Sequence, residues 1–294
     1  MSRQPLRLAV LEAERILAAA GIASSRADAE LLAAHVLGME RGRLPMVPLV
    51  DPAVVESLRK LVTERARRVP LQHLTGTAAM GDVEVAVGPG VFVPRPETEL
   101  LLGWGLSLLH DIEDGTAPLV IDLCTGSGVL ALALAHARPD AEVHAVESDP
   151  VALSWARRNA DARAAIGDTA IWLHAGDVAD PALLAPFDGM AHLVLSNPPY
   201  VPLGTDVAPE VARHDPHGAV FAGADGLAVI PDVVRTGTRL LREGGAIAIE
   251  HDDGHAAAVH GMLAARRVLT DVDDHADLAG RPRFATARRR VSPR

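Results

Sequence analysis

The chain has 294 residues, of which 49% are hydrophobic but only 3% aromatic, so its core must be built mainly from Ala, Leu and Val. A formal net charge of −10 gives no global attraction to nucleic acid phosphates, and direct nucleic acid binding is not expected. A single cysteine excludes an internal disulfide framework, and no apolar run reaches the roughly 18 residues of a membrane span, so we expect a cytoplasmic protein.

Three helical patterns occupy the first part of the chain. Apolar residues recur every three or four positions over 6–20, a second pattern opens at Ser25 and ends at Gly38, and Asp51-Pro52 opens a third that stops before Pro70. Helices with no strand between them predict a small bundle, and we assign residues 1–73 to this N-terminal helical domain. Alternating valines punctuated by glycine then predict a β-hairpin linker over 74–95.

Beyond Pro96, strand patterns alternate with helical ones. The predicted strands are 119–123, 142–147, 171–174, 192–196 and 246–250. The predicted helices are 129–137, 151–160 and 227–241, and a last helix and strand reach Arg288. Such alternation predicts an α/β fold with a parallel, doubly wound sheet, which we assign to residues 96–294.

Asn197-Pro198-Pro199-Tyr200 directly follows one of these strand patterns. Two successive prolines cannot continue a ladder, so the chain turns at the carboxyl end of a strand, where open α/β sheets bind ligands. The Asn197 side-chain oxygen and the Pro198 carbonyl are placed to accept the two hydrogens of a planar –NH₂ group and to direct its lone pair at a methyl donor. Tyr200 offers a flat face for that group. The motif predicts methylation of a planar nitrogen, although alone it also fits a rigid turn.

A glycine turn, Asp122-Leu123-Cys124-Thr125-Gly126-Ser127-Gly128, joins the first strand of this region to its first helix. Its glycines allow the backbone to approach a ligand closely and present N–H donors at a helix amino terminus. Glu147 ends the next strand, where an acid accepts hydrogen bonds from ribose hydroxyls. Asp177, after the third strand, is a candidate partner for an adenine amino group. Together these residues predict a nucleoside cofactor.

The same turn satisfies a rival pattern, because Gly126-x-Gly128-x-x-Ala131 with a later acid is also the dinucleotide fingerprint. A nicotinamide cofactor would place its pyrophosphate here, whereas a methyl donor brings a positively charged sulfonium and an amino acid moiety with an ammonium group. Asp122 would attract those cations and repel a pyrophosphate. Asp122 and the Asn-Pro-Pro-Tyr motif together favour the methyl donor.

With these motifs the chain closely resembles the HemK family, bacterial methyltransferases that modify the glutamine of the Gly-Gly-Gln motif in peptide chain release factors. The resemblance runs nearly end to end. It includes two runs in the linker region, Pro-Leu-Gln-His-Leu-Thr-Gly at 70–76 and Val-Phe-Val-Pro-Arg-Pro-Glu-Thr-Glu at 91–99. The second run separates this family from the adenine methyltransferases that share Asn-Pro-Pro-Tyr.

The resemblance implies a Rossmann-like class I methyltransferase domain with a seven-stranded, mostly parallel sheet, and a helical domain that helps recognise the release factor. It implies methyl transfer from S-adenosylmethionine to the side-chain amide nitrogen of that glutamine, which tunes translation termination and leaves S-adenosylhomocysteine. Position by position, 124–128, Glu147 and Asn197 would contact the cofactor, Val178 would lie beside the adenine, and 197–200 would hold the amide. Glu147 is one methylene longer than the Asp common in relatives. The predicted catalytic and substrate-binding residues are Asn197, Pro198, Pro199 and Tyr200, and the predicted cofactor-binding residues are Asp122, Cys124, Thr125, Gly126, Ser127, Gly128, Glu147, Asp177, Val178 and Asn197.

Alternative functions are an amino-group methyltransferase for DNA adenine or another protein amide, and a noncatalytic cofactor-binding module. We expect release factors as partners and a monomeric enzyme. The histidine-rich runs 214–217 and 251–255 are expected to be exposed loops or helix starts without a metal, since no cysteine pair or His-Glu-x-x-His accompanies them. The basic cluster Arg65, Arg67 and Arg68 is expected on a solvated face, with contact to an acidic partner as the alternative.

Overall fold

A computed structural model describes residues 3–110, 112 and 117–292. The chain forms two compact units. One is built from the residues up to Thr77 together with Val207–His214, and the other from Ala78–Asp206 and the residues from Asp215 onward.

The first unit is mainly helical, as predicted. Its helices are α1 (Leu6–Ala19), α2 (Ser25–Leu37), α3 (Pro52–Ala66) and α4 (Leu71–Thr75), and a minimal strand pair joins β1 (Gln4–Pro5) to β2 (Leu49–Val50). Gly38 ends α2 in the left-handed conformation, with φ of 62°, which explains the stop at this residue. The predicted helix spacing places Leu17 and Leu32 fully inside the bundle, where they pack with Leu58.

A short antiparallel hairpin, β3 (Thr77–Met80) and β4 (Val83–Ala86), follows the bundle. It lies within the predicted linker. Val91 and Val93 continue the valine pattern and are fully buried, but they lie outside the strands. The paired strands of the hairpin thus end at Ala86, before the last two valines of the pattern.

The second unit contains the large sheet. From Thr98 onward the elements are α5 (Thr98–His110), β5 (Leu119–Leu123), α6 (Val129–Ala137), β6 (Glu142–Glu147), α7 (Pro150–Ala165), β7 (Trp172–Ala175) and β8 (Ala191–Ser196). They continue with α8 (Pro209–His214), which belongs to the first unit, α9 (His217–Val220), α10 (Ile230–Leu240), β9 (Leu241–Glu250), α11 (Ala256–Ala264), β10 (Leu269–Ala276) and β11 (Pro282–Arg289).

The seven strands of this sheet are ordered β10-β11-β9-β8-β5-β6-β7. Strands β9, β8, β5, β6 and β7 run parallel, and β11 is antiparallel to its neighbours β9 and β10. The predicted doubly wound, mostly parallel sheet is confirmed. The chain winds outward from β5 through β6 to β7 and then returns to place β8 on the other side of β5. A switch point of this kind is where open α/β sheets bind ligands.

Alternate residues of the central strands enter different hydrophobic layers. Val120 and Leu195 belong to the layer that contains α5 and α6, whereas Ile121 and Val194 belong to the layer that contains α10 and α11. Because both faces are covered, the centres of β5 and β8 are continuous apolar runs, Leu119-Val120-Ile121 and Leu193-Val194-Leu195. This is why the predicted bounds of β5 are correct and those of β8 differ by one residue.

Other bounds differ more. β9 begins at Leu241 rather than at residue 246, since Arg242-Glu243-Gly244-Gly245 remains in the strand despite its polar composition. His251 was expected in an exposed loop or at a helix start and is instead fully buried. Its backbone N–H donates to the Arg283 carbonyl and extends the pairing with β11.

The expectation of a solvated basic cluster is wrong for Arg65. This side chain is buried in the first unit, where it donates to Asp28 at 2.7 Å and to Glu210 of α8 at 2.9 Å. Both carboxylates come from segments distant in sequence, so the local pattern of arginines gave no sign of them.

Candidate active site

A cavity of about 460 Å³ lies in the second unit at the switch point between β5 and β8. Leu123 of β5 pairs with Ser196 of β8, so the glycine turn and the Asn-Pro-Pro-Tyr turn leave the sheet side by side. A volume of this size suits a cofactor. The predicted residues that line the cavity are Asp122, Cys124, Thr125, Gly126, Ser127, Glu147, Asp177, Val178, Asn197 and Pro199.

Gly128, Pro198 and Tyr200 are not among the residues that line this cavity. Gly128 instead allows close packing of α6 against α7, because a Cβ added at its φ of +82° would lie 3.3 Å from the Ala156 Cβ. A glycine fingerprint cannot separate approach to a ligand from approach to a neighbouring helix. Pro198 is buried.

The glycine turn bends tightly away from β5. Cys124 and Gly126 have φ of 65° and 59°, and the Gly126 N–H donates to Glu147 at 2.8 Å. A side chain at Gly126 would project into open space on the cavity wall, so glycine keeps that space for a ligand. Burial and the neighbouring Glu147 raise the pKa of the Cys124 thiol, which therefore stays neutral.

Asp122 is the buried acid of the turn, with 1% of its surface exposed. Its carboxylate accepts a hydrogen bond of 2.5 Å from the Thr125 hydroxyl. Burial, together with the neighbouring Glu147, raises the pKa of Asp122 to about 7, and the Thr125 hydrogen bond opposes the shift. A carboxyl poised in this way gains its charge when a cation arrives, which suits a sulfonium or ammonium group.

Glu147 ends β6 and binds two backbone groups. One carboxylate oxygen accepts from Gly126 and the other accepts from the Asp149 N–H, each at 2.8 Å. Each oxygen retains acceptor capacity for a ribose hydroxyl. Asp149 itself caps α7 by accepting from the first backbone N–H groups of the helix. Asp177 is exposed and accepts from Ala179 in its own turn at 2.9 Å.

The Asn-Pro-Pro-Tyr turn is anchored to Thr98 and Glu250, to which the sequence assigned no role in the site. The Asn197 side-chain nitrogen donates to the Thr98 hydroxyl at 2.9 Å, and the Thr98 hydroxyl donates to Glu250 at 2.8 Å. The Tyr200 hydroxyl donates to the other oxygen of Glu250 at 3.0 Å. Only the run 91–99, which contains Thr98, gave a sequence signal for this contact.

The run 91–99 also contributes to the cavity wall through Phe92, Pro94 and Thr98. The Arg95 guanidinium lies 4.8 Å from the centre of the Phe92 ring and pairs with Asp215. Asn159, a third buried polar residue outside the predicted set, holds the glycine turn in place, since its side-chain nitrogen donates to the Ser127 carbonyl at 2.9 Å.

Among residues 3–110, 112 and 117–292, no group of three or more His, Cys, Asp or Glu side chains is arranged to hold a metal ion. Within the same described ranges, no helix combines the length and the apolar character needed to cross a membrane.

The sheet order, its single reversed strand β11 and the cavity at the switch point define a class I, S-adenosylmethionine-dependent methyltransferase. Residues 9–76 match the family model of the PrmC N-terminal domain, and residues 96–214 match that of the methyltransferase small domain. The chain is 50% identical to the release factor glutamine methyltransferase of Mycolicibacterium smegmatis over 97% of this chain and 98% of that one. The chain therefore belongs to the release factor glutamine methyltransferase family.

Two further comparisons agree with this family and fold. The release factor glutamine methyltransferase of Streptomyces coelicolor is 46% identical, with 95% of this chain and 96% of that one covered. The hMettl16 catalytic domain, solved in complex with the MAT2A 3′UTR hairpin 6, has a TM-score of 0.52 and 14% identity over 71% of this chain and 76% of that one, and this likeness concerns the fold alone. The predicted family, enzyme class and methyl donor are confirmed. The rival interpretation of the glycine turn as a nicotinamide site is not.

Proposed function

We propose that the enzyme transfers a methyl group from S-adenosylmethionine to the side-chain amide nitrogen of the glutamine in the Gly-Gly-Gln motif of bacterial peptide chain release factors, and so tunes translation termination. Relatives at 50% and 46% identity that carry the release factor glutamine methyltransferase name support this acceptor. The observation that carries the chemistry is the Asn197 carboxamide on the cavity wall, which is held through its nitrogen by Thr98.

An amide nitrogen is a poor nucleophile, because its lone pair is delocalised into the carbonyl. The Asn197 side-chain oxygen and the Pro198 carbonyl would accept its two hydrogens and turn its lone pair out of the amide plane. S-adenosylmethionine supplies an electrophilic methyl group when it is bound. No strong base is needed before transfer, since the nitrogen loses a proton once it is cationic. Catalysis is therefore mainly positional, and effective molarities in well-oriented systems reach on the order of 10⁵ M or more.

The cavity residues fit this donor. Asp122 would ionise beside the sulfonium and ammonium groups, Glu147 would accept from the ribose hydroxyls, and Asp177 and Val178 would border the adenine. The backbone at Gly126 leaves room for close approach. The buried Asp122 carboxyl, with its pKa raised to about 7, supports a cationic ligand over a pyrophosphate.

We assign recognition of the release factor to the helical residues 1–73, a linker to 74–95 and catalysis to 96–294. The enzyme acts as a monomer in the cytoplasm and does not itself bind nucleic acid. The net charge of −10 supports the last point, because phosphate binding requires concentrated positive charge.

Asn197→Ala tests the chemistry. It should keep cofactor affinity within a few-fold and lower turnover on a release factor by about 10²-fold or more, because a misplaced nucleophile forfeits the positional contribution. Cofactor affinity is measured by calorimetry and turnover by transfer of labelled methyl. An unchanged melting temperature controls for folding. Full turnover in this variant would overturn the mechanism, and labelling of DNA in a parallel reaction would overturn the acceptor.

A further inference from the structure

Four polar side chains from three distant parts of the sequence form one hydrogen-bond network beside the cavity. Asn197 and Tyr200 follow β8, Thr98 begins α5, and Glu250 ends β9. The links are Asn197 nitrogen to Thr98 oxygen at 2.9 Å, Thr98 hydroxyl to Glu250 at 2.8 Å, and Tyr200 hydroxyl to Glu250 at 3.0 Å. Thr98 and Glu250 are 3% and 2% exposed, so water does not compete for these bonds.

The number of hydrogens that these side chains can donate determines which group donates and which accepts in each bond of this network. An ionised Glu250 only accepts, so Tyr200 and Thr98 must each donate to it. A threonine hydroxyl has one hydrogen, and Thr98 donates it to Glu250. Thr98 can then only accept from Asn197, which requires the nitrogen of the carboxamide, rather than its oxygen, to face Thr98. The oxygen is left directed away from Thr98.

We propose that Glu250 is a positioning residue that acts through Thr98 to fix the orientation of the Asn197 carboxamide, so that its oxygen accepts from the substrate –NH₂ group. This inference rests on the proposed function of Asn197. Glu250 is not among the residues that line the cavity, whereas Thr98 and Asn197 are. The carboxylate therefore reaches the reacting group only through its hydrogen-bond partners.

Protonation of Glu250 would undo this arrangement. A protonated carboxyl donates to one of its partners, and a Thr98 hydroxyl released from Glu250 can donate to the Asn197 oxygen, which turns the carboxamide over. Burial, together with the neighbouring Glu97, raises the pKa of Glu250 to about 7, against the opposing effects of Thr98, Tyr200 and Arg283 of the adjacent strand β11. The orienting, ionised form is thus lost as pH falls through about 7.

The decisive variants are Glu250→Gln and Thr98→Val, with Thr98→Ser as the rescue and Asn197→Ala as the reference. Glu250→Gln keeps the shape but lacks the purely accepting carboxylate, and we expect a roughly 10- to 100-fold lower kcat, the effect of losing a hydrogen bond to a charged group. Thr98→Val should lose about 10²-fold, and Thr98→Ser should recover most of it. Cofactor affinity should change little in each variant.

Two readouts separate positioning from a merely structural role. At saturating cofactor and substrate, wild-type kcat should fall with decreasing pH through about 7, and Glu250→Gln should lack this step. The fold-loss of kcat in the double variant Thr98→Val/Glu250→Gln should be smaller than the product of the two single fold-losses, because both substitutions act on the same hydrogen-bond network. Thr238→Val is the control for a buried threonine elsewhere. The Thr238 hydroxyl donates to the Val234 carbonyl of the same helix, α10, and kcat should be unchanged.

Wild-type kcat and an unaltered pH profile in Glu250→Gln would refute the positioning role, as would fully multiplicative losses in the double variant. If Asn197→Ala is inactive in the same experiment, the proposed function stands and only the inference about Glu250 fails. If Asn197→Ala is fully active, the proposed function itself fails.

Discussion

Asp122→Asn should stabilise the cofactor-free protein at alkaline pH while it weakens cofactor binding. The buried Asp122 has its pKa raised from 3.8 to about 7, a gap of roughly 3 units, or about 4 kcal/mol in favour of the protonated form at roughly 1.4 kcal/mol per unit. Because the folded-state pKa is raised, this contribution to stability is fully present below 3.8 and is lost as pH rises through about 7. An asparagine carries no such penalty, and its oxygen still accepts from Thr125.

The assay is urea unfolding of both proteins, without cofactor, at pH 5 and pH 8. Part of the contribution is already lost at pH 5, so the advantage of the variant over wild type should grow by about 3 kcal/mol between the two values. Glu250 titrates in the same range but is present in both proteins, so its effect cancels in the difference.

Cofactor affinity should move in the opposite direction. At pH 8 the variant should bind S-adenosylmethionine roughly 10- to 100-fold more weakly, because a charge-assisted contact is lost. In wild type, affinity should weaken as pH falls below about 7, since the cation must then displace a proton from Asp122. A stability difference that is the same at both pH values, or an affinity that the variant leaves unchanged, would refute the reasoning.

Two further substitutions test the turn and the bundle. Gly226→Ala would place a Cβ 2.4 Å from the Tyr200 carbonyl oxygen, so kcat should fall about 10²-fold. Gly204→Ala is the control, because Gly204 also has a positive φ but no atom lies within 4 Å of the added Cβ. It carries only the backbone strain and should leave kcat near wild type in the same methyl-transfer assay. Arg65→Met leaves Asp28 buried without its cationic partner and should lower the free energy of unfolding by about 3–5 kcal/mol in urea titrations. Addition of Asp28→Leu should recover much of that loss, and a single-variant loss under about 1 kcal/mol would contradict this account.

Much of the sheet was predictable because its central strands are covered on both faces. Strand β5 lies where its mostly apolar pattern predicted it, and the two motif turns follow from the glycine and proline chemistry at strand ends. The parallel pairing of β5 with β8 then brings Asp122 and Asn197 to one cavity, as the alternation of elements predicts.

The polar anchors of the site were not predictable from local patterns. Thr98 and Glu250 are 152 residues apart, and their contact depends on where the start of α5 meets the end of β9. His251 misled in a similar way, since its polar neighbours suggest a loop while pairing with β11 buries it. Arg65 is buried for the same reason: its partners come from other helices. In each case a tertiary contact decides what the local composition leaves open.

The most direct test of the central claim is the location of the transferred methyl group. Wild-type enzyme, isotopically labelled S-adenosylmethionine and a bacterial release factor are incubated together, and tandem mass spectrometry of the digested factor identifies the modified atom. The account predicts one methyl group on the side-chain amide of the Gly-Gly-Gln glutamine and none on a factor in which that glutamine is replaced. A methyl group at any other position, or equal labelling of the substituted factor, would contradict it.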